Sequence, residues 1–252
     1  MINSLSLPAA CRVDQRVPKK LLMENGAPTA ADRRQIKDGI EQISWIAALK
    51  PTTIGIAAHR DDQREYLEIA VVAVTLSGAG VKPAKIKRVS ELIHRAIPYP
   101  VFLLLRSEQG LTLSLAHKRW AQNEAGKVVL DGDPISAALP ADAPSVGVLA
   151  AFIEALALTN RPYRTLFDLY QHWTDSLVAL LAARLTGTFA EARTPERAAA
   201  RRRALQDSDR LEREITRLQA QAGKERQLAR QVELNRELKR LQSTLIDLRE
   251  SL

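Results

Sequence analysis

The sequence predicts an α+β protein: a small mixed or antiparallel sheet domain in αββαββ order, followed by an all-helical C-terminal region. Three observations carry that expectation. Between residues 29 and 130 the apolar positions alternate between helical spacing, in steps of three and four, and short β-rich runs. The resulting order of helix, strand, strand, helix, strand, strand contains no βαβ repeat of the doubly wound kind, which points to helices segregated on one face of a sheet. Finally, Glu196 to Leu252 contains neither proline nor aromatic residue and carries leucines at 234, 238, 241, 245, 248 and 252, a seam suited to another helix.

Residues 1–28 carry Pro8, Pro18, Gly26 and Pro28 with the basic pair Lys19-Lys20 and read as an extended N-terminal arm. Thr29 is a helix cap, with Asp32 completing a weak capping box. Ile36, Ile40, Ile43, Ile46 and Ala47 then fall at helical spacing, so one helix is expected to run to Lys50-Pro51. Thr53 to Ala58 and Tyr66 to Leu76 read as a hairpin whose second strand, apolar on both faces after Glu68, suits the centre of a sheet. A glycine loop, Ser77 to Pro83, leads to a second amphipathic helix marked by Ile86, Val89, Leu92, Ile93 and Ala96. Val101 to Leu105 is a buried strand, Gln109-Gly110 turns into Leu111 to Leu115, and Lys127 to Leu130 is a short fifth strand.

The sheet domain is thus expected over residues 29–135, with Asp131 to Pro144 as a linker. Residues 145–190 read as a helical hairpin: Val146 to Leu158, a turn, then Tyr163, Leu166, Phe167, Tyr170, Trp173, Leu177, Leu180 and Leu181, an aromatic stripe that packs the hairpin on the sheet. Residues 195–252 have two leucine phases, Leu211, Ile215, Leu218 and Ala222 followed by Leu234 onward, that share no heptad register. Gly223 stands between them, so the segment is either a helical hairpin or a coiled coil with a stutter.

The chain carries 37 Lys+Arg against 29 Asp+Glu, a formal charge of +8, and its isoelectric point is about 9.8. That balance favours a polyanionic partner. With Cys11 the sole cysteine, neither an intrachain disulfide nor a cysteine zinc site can be built. The expected setting is the cytoplasm, because the first ten residues lack a signal peptide's basic start and no run of about 18 apolar residues occurs. Neither cofactor nor metal is expected: His59, His94, His117 and His172 form no i, i+4 pair, Gly78-Ala79-Gly80-Val81-Lys82 lacks the frame of a phosphate-binding P-loop, and there is no Gly-x-Ser-x-Gly elbow.

Two constellations remain. Asp61, Asp62 and Glu68, with Glu65, form an acidic cluster of the type that holds magnesium in small α+β nucleases, although the lysine expected two residues after the glutamate is missing. The basic set comprises Lys19 and Lys20 on the arm, Lys82, Lys85, Lys87 and Arg88 at the start of the second helix, Lys118 and Arg119 after a strand, and Arg201, Arg202 and Arg203 in the tail, candidates for phosphate contacts. Leu234, Leu238, Leu241, Leu245 and Leu248 are the candidate partner interface.

Several segments together carry a resemblance: Val17-Pro18-Lys19-Lys20, Ile43-Ser44-Trp45 with Leu49-Lys50-Pro51-Thr52, Ile97-Pro98-Tyr99-Pro100-Val101-Phe102, and Glu225-Arg226-Gln227-Leu228 with Gln231 to Leu238. The chain resembles an uncharacterised bacterial family encoded beside helicases and DNA methyltransferases in phage-defence and restriction-modification islands; Leu228 stands where that family is expected to have an aromatic. The resemblance implies a defence setting and supplies no catalytic residues. The expectation is therefore a non-enzymatic accessory subunit that joins a helicase or methyltransferase partner, or itself, through its C-terminal helices and contacts DNA through its basic residues. The alternative is a metal-dependent nuclease with a degenerate acidic site.

Overall fold

A computed structural model describes residues 1–78, 80–124, 126–140, 147–160, 162–250 and 252. Ala79 of the glycine loop, the end of the predicted linker at 141–144 and the start of the predicted hairpin at 145–146 lie outside the described residues. The chain forms two compact units, Met1–Leu177 and Val178–Leu252.

The first unit is built on a six-stranded mixed sheet. Its elements begin with β1 (Arg12–Arg16), α1 (Lys19–Gly26), α2 (Ala30–Gly39), β2 (Ile40–Leu49) and the single turn α3 (Pro51–Ile54). Two-residue strands β3 (His59–Arg60) and β4 (Glu65–Tyr66) precede β5 (Ile69–Leu76), α4 (Pro83–Ala96), β6 (Val101–Ser107) and β7 (Gly110–Leu115). Then come β8 (Lys118–Trp120), β9 (Val128–Leu130), β10 (Ile135–Leu139), α5 (Val148–Ala155) and α6 (Leu166–Thr186), within which the division between units falls. The sheet order is β1-β2-β5-β6-β7-β10. Only β5 and β6 pair in parallel, and α4 is the crossover between them, so one βαβ unit sits inside an otherwise antiparallel sheet.

The expected order αββαββ is corrected at its start. Thr29 caps α2, accepting from the Asp32 amide at 3.1 Å, but the helix stops at Gly39 and the chain continues as β2. Two bulges in β2, between Ile40 and Gln42 and between Trp45 and Ala47, each insert a residue against β5. The first bulge puts Ile40 and Ile43, three residues apart, on the same face, and after the second Ala47 pairs with Val71 on the other, so buried positions at 40, 43 and 47 imitate helical spacing. Thr53 and Ile54, expected in a strand, form α3 instead, because Pro51 starts a turn that Thr53 closes through Lys50. β5 consequently pairs with β2, while β3 and β4 make a separate two-stranded ladder.

Residues 12–16 and 135–139, read as arm and linker, supply the two outer strands β1 and β10. α1, α2 and α4 cover one face of the sheet, burying Leu22, Ile36, Val89, Leu92 and Ile93 against Ile40, Ile43, Val72, Val74 and Leu103. Gly26 lets α1 approach α4, since a Cβ there would stand 2.5 Å from the Leu92 carbonyl oxygen. The opposite face holds the aromatic stripe of α6: Trp173 meets Phe102 edge to face at 5.0 Å, and the Tyr170 hydroxyl donates to the Val101 carbonyl at 2.8 Å. Helices thus cover both faces.

In the second unit, α7 (Pro195–Ala222) and α8 (Leu228–Glu250) fold as a helical hairpin. Thr194 caps α7, and the turn between the helices is closed by Glu225, whose carboxylate accepts from the amides of Arg226 and Gln227. Ile215, Leu218 and Ala222 bury against Leu238 and Leu245, with Leu211, Leu234 and Leu241 packed around them. Arg249 pairs with Glu212 across the two helices. The change of leucine phase at Gly223 is the reversal of the chain.

Candidate nucleic-acid interface

The acidic residues do not converge. Asp61 closes its own turn, accepting from the amides of Gln63 and Arg64 at 2.8 Å each, and its other oxygen meets His59 Nε2 at 2.9 Å. That imidazole contact, followed by the two amides, holds the Asp61 carboxyl below its usual range. Asp62 is exposed, and Glu65 pairs with Arg60 at 3.0 Å. Glu68 is buried just before β5 and pairs at 3.1 Å with Lys50, at the end of the neighbouring strand. Each carboxylate except Asp62 thus has its own local partner. Among the described residues no group of three His, Cys, Asp or Glu side chains is placed to hold a metal ion.

Four of the predicted cations serve the fold. Arg88 reaches both Asp32 oxygens, at 2.8 and 2.9 Å, and Glu91 at 2.7 Å; this pairing pulls the Asp32 carboxyl down to about 2 and raises Arg88 further. Arg119 faces Asp131, which also pairs with Arg64, and so joins the β3–β4 turn to the β8–β9 hairpin. Lys20 pairs with Glu24 one turn on. Lys118 is 2% exposed. Its ammonium donates to the carbonyls of His94 and Ile97 at the C-terminal end of α4, where a cation offsets the helix dipole. Burial pulls its pKa down to about 7, so Lys118 is an internal helix cap and not a surface contact. Beside it His94, wholly buried and drawn down to about 3 by burial and then by Lys118, shares Ser114 Oγ with Ser90 and Ser136.

Of the other predicted cations of this unit, Lys82, Lys85 and Lys87 lie at the start of α4, and Lys19 reaches the same region. Lys19 Nζ donates to the Lys37 carbonyl at 2.9 Å, and the Lys85 side chain lies over Gly39, where its Cε would stand 2.9 Å from a Cβ. The side chains of Lys19 and Lys85 therefore both reach the C-terminal end of α2, where it passes into β2, and exposed Lys82 lies one turn before Lys85. Lys87 is exposed on the same helix. A groove of about 340 Å³ opens beside this cluster, lined by Arg16, Val17, Pro18, Lys19, Glu41, Gln42 and Ile43. Arg16, Lys37 and Gln42 were not singled out from the sequence. The signal that would have found Arg16 is the alternation of Arg12 and Arg16 on a strand hidden in an arm-like composition.

Arg201, Arg202 and Arg203 belong to the second unit, where Arg201 donates to the Ala190 carbonyl and Arg203 is exposed. Leu234, Leu238, Leu241 and Leu245, predicted to meet a partner, are covered by α7 of the same chain, with Leu248 half-buried. The apolar side chains that α8 exposes are Leu228, Val232 and Ile246, at 76, 42 and 57%.

Residues 5–245 match a family model described as a domain of unknown function, DUF4391. The chain belongs to the DUF4391 family. The match spans nearly all of both units, so sheet and hairpin together make up what the family shares. No curated protein and no solved structure matches the chain. No helix among the described residues is long and apolar enough to cross a membrane.

Proposed function

We propose that this protein is a non-enzymatic accessory subunit of a bacterial DNA-targeting defence or restriction-modification-like assembly, in which the sheet unit holds nucleic acid and the helical hairpin meets a protein partner. The observation that carries the nucleic-acid half is the arrival of the Lys19 and Lys85 side chains at the α2–β2 junction, beside a groove lined by Arg16 and Lys19. Cations on one surface repel one another, and a polyanion relieves that repulsion while releasing its own counterions. The smaller unit adds charge of the same sign, with 16 Lys+Arg against 11 Asp+Glu over residues 178–252.

The partner half rests on α8. Its leucine seam is spent within the hairpin, which leaves Leu228, Val232 and Ile246 as the surface for a helicase or methyltransferase. Leu228 and Ile246 are 18 residues apart, five helical turns, and so share one face. The resemblance to a family found in defence islands supports this choice of partner. The nuclease alternative loses its main support, a shared acidic cluster, because Asp61, Glu65 and Glu68 are each paired separately.

Expression of the tagged chain with its flanking genes tests the assembly. Retention of a neighbouring gene product, weakened by Leu228→Glu and Ile246→Glu, is the expected result. A chain that elutes alone as a monomer, with no flanking product retained, contradicts it.

A further inference from the structure

We infer that the groove beside β1 is a nucleotide-sized subsite, which takes one nucleoside-phosphate unit with its phosphate toward Arg16 and Lys19. This rests on the nucleic-acid reading above and assigns it a place and a chemistry. The volume, about 340 Å³, is at the small end of clefts that hold compact organic ligands, roughly 300–1,000 Å³. The lining is of three kinds. Val17 and Pro18 are apolar surface for a base or sugar, Gln42 carries an amide able to donate and accept at a base edge, and Arg16 and Lys19 are cations for a phosphate. Glu41, the acid in the lining, repels a phosphate and accepts from an amino or sugar hydroxyl group, so the two signs of charge give the ligand a direction.

The fold makes these residues a unit. The Val17 amide donates to the Ile43 carbonyl at 2.9 Å, which fixes the turn from β1 into α1 against β2. Lys19 is anchored by its bond to the Lys37 carbonyl, and the bulge between Ile40 and Gln42 alters the strand's alternation where Glu41 and Gln42 meet the groove. Gln42 is steadied by donating to Ser44 Oγ at 3.0 Å.

The test is fluorescence anisotropy with a labelled, 5′-phosphorylated single strand of about ten nucleotides, competed by unlabelled mononucleotides, on the full chain and on Arg16→Ala, Gln42→Leu and Lys82→Glu/Lys85→Glu. Arg16→Ala is expected to weaken binding about tenfold, the loss of one charge-assisted contact. Gln42→Leu is expected to weaken it severalfold and to flatten differences among the four bases, with the thermal midpoint of both variants unchanged. Competition by mononucleotides at concentrations near the strand's own assigns the site to a free nucleotide; competition only at far higher concentrations assigns it to a unit within a strand, and both support the subsite. Affinity unchanged in Arg16→Ala and Gln42→Leu but lost in Lys82→Glu/Lys85→Glu overturns the groove and leaves the basic surface standing. A wild-type chain that binds neither ligand overturns both.

Discussion

The two ends of α4 use lysine in opposite ways. At the C-terminal end the Lys118 ammonium is enclosed and directed onto the carbonyls of His94 and Ile97, while at the N-terminal end Lys82 is exposed and Lys85 lies over Gly39, close to the Lys37 carbonyl that Lys19 takes. The helix dipole explains part of this difference. Its negative end stabilises Lys118, whereas its positive end disfavours exposed Lys82 unless an anion joins it; Lys19 and Lys85 are offset by the C-terminal end of α2, where Lys19 donates to the Lys37 carbonyl. A cation that the fold places where its own field is unfavourable is the stronger candidate for a ligand contact, and a buried one answers to the fold.

The comparison breaks most visibly at Lys118. Lys118→Ala leaves two helix carbonyls without their donor and opens a void, so it is expected to destabilise the first unit by about 3 kcal/mol in urea unfolding. A loss below about 0.5 kcal/mol refutes the internal cap. In the second unit the leucines stand in for this buried role: Leu238→Ala is expected to cost about 2 kcal/mol of hairpin stability, because Leu238 packs against α7 and not against a partner. If that variant melts like wild type and instead loses a binding partner, the seam is an interface after all.

Titration sharpens the contrast next. The Lys118 pKa is about 7 in the fold and about 10.4 unfolded, so between those values the unfolded chain binds more protons and stability rises with pH. Above about pH 10 the trend reverses, since burial raises Tyr66 and Tyr170 and only the unfolded tyrosines ionise. Below about 6.5, stability falls as pH drops toward 3, because the imidazole gains its proton only in the unfolded chain while buried His94 stays neutral. Urea midpoints at pH 5, 7, 8.5 and 10 check these slopes, and Lys118→Met is expected to flatten the rise from 7 to 10. The smallest stability effect belongs to the exposed end, where Lys82→Gln and Lys85→Gln are expected to shift stability by less than about 0.5 kcal/mol while weakening polyanion binding.

Much of this was legible in the sequence because burial leaves a period. β5, α4, β6, β7 and the aromatic stripe of α6 follow their apolar spacing closely. β2 was not legible, because its two bulges break the alternation and leave positions buried on both faces, Ile40, Ile43 and Ala47, spaced three and four apart as in a helix. β1 and β10 escaped for a different reason: as outer strands they bury little and carry Arg12, Asp14 and Arg16 or small residues in place of a hydrophobic run. Of the candidate site, Lys19, Lys82 and Lys85 could be named from charge alone. Their convergence could not, nor could the withdrawal of Lys118 and Arg88 into internal pairs, since these depend on contacts between residues up to 56 positions apart. The leucine repeat required a second helix, and the fold decides between the hairpin and the coiled coil that the change of register left open: α7 of the same chain covers the seam.

The salt dependence of nucleic-acid binding tests the central claim most directly. With Arg16, Lys19, Lys82 and Lys85 contacting phosphates, log K for a single strand is expected to fall against log salt with a slope of about −3, and Lys82→Glu/Lys85→Glu is expected to make that slope shallower by about one or more. A flat dependence in the wild type, or a slope the double variant leaves unchanged, contradicts the account.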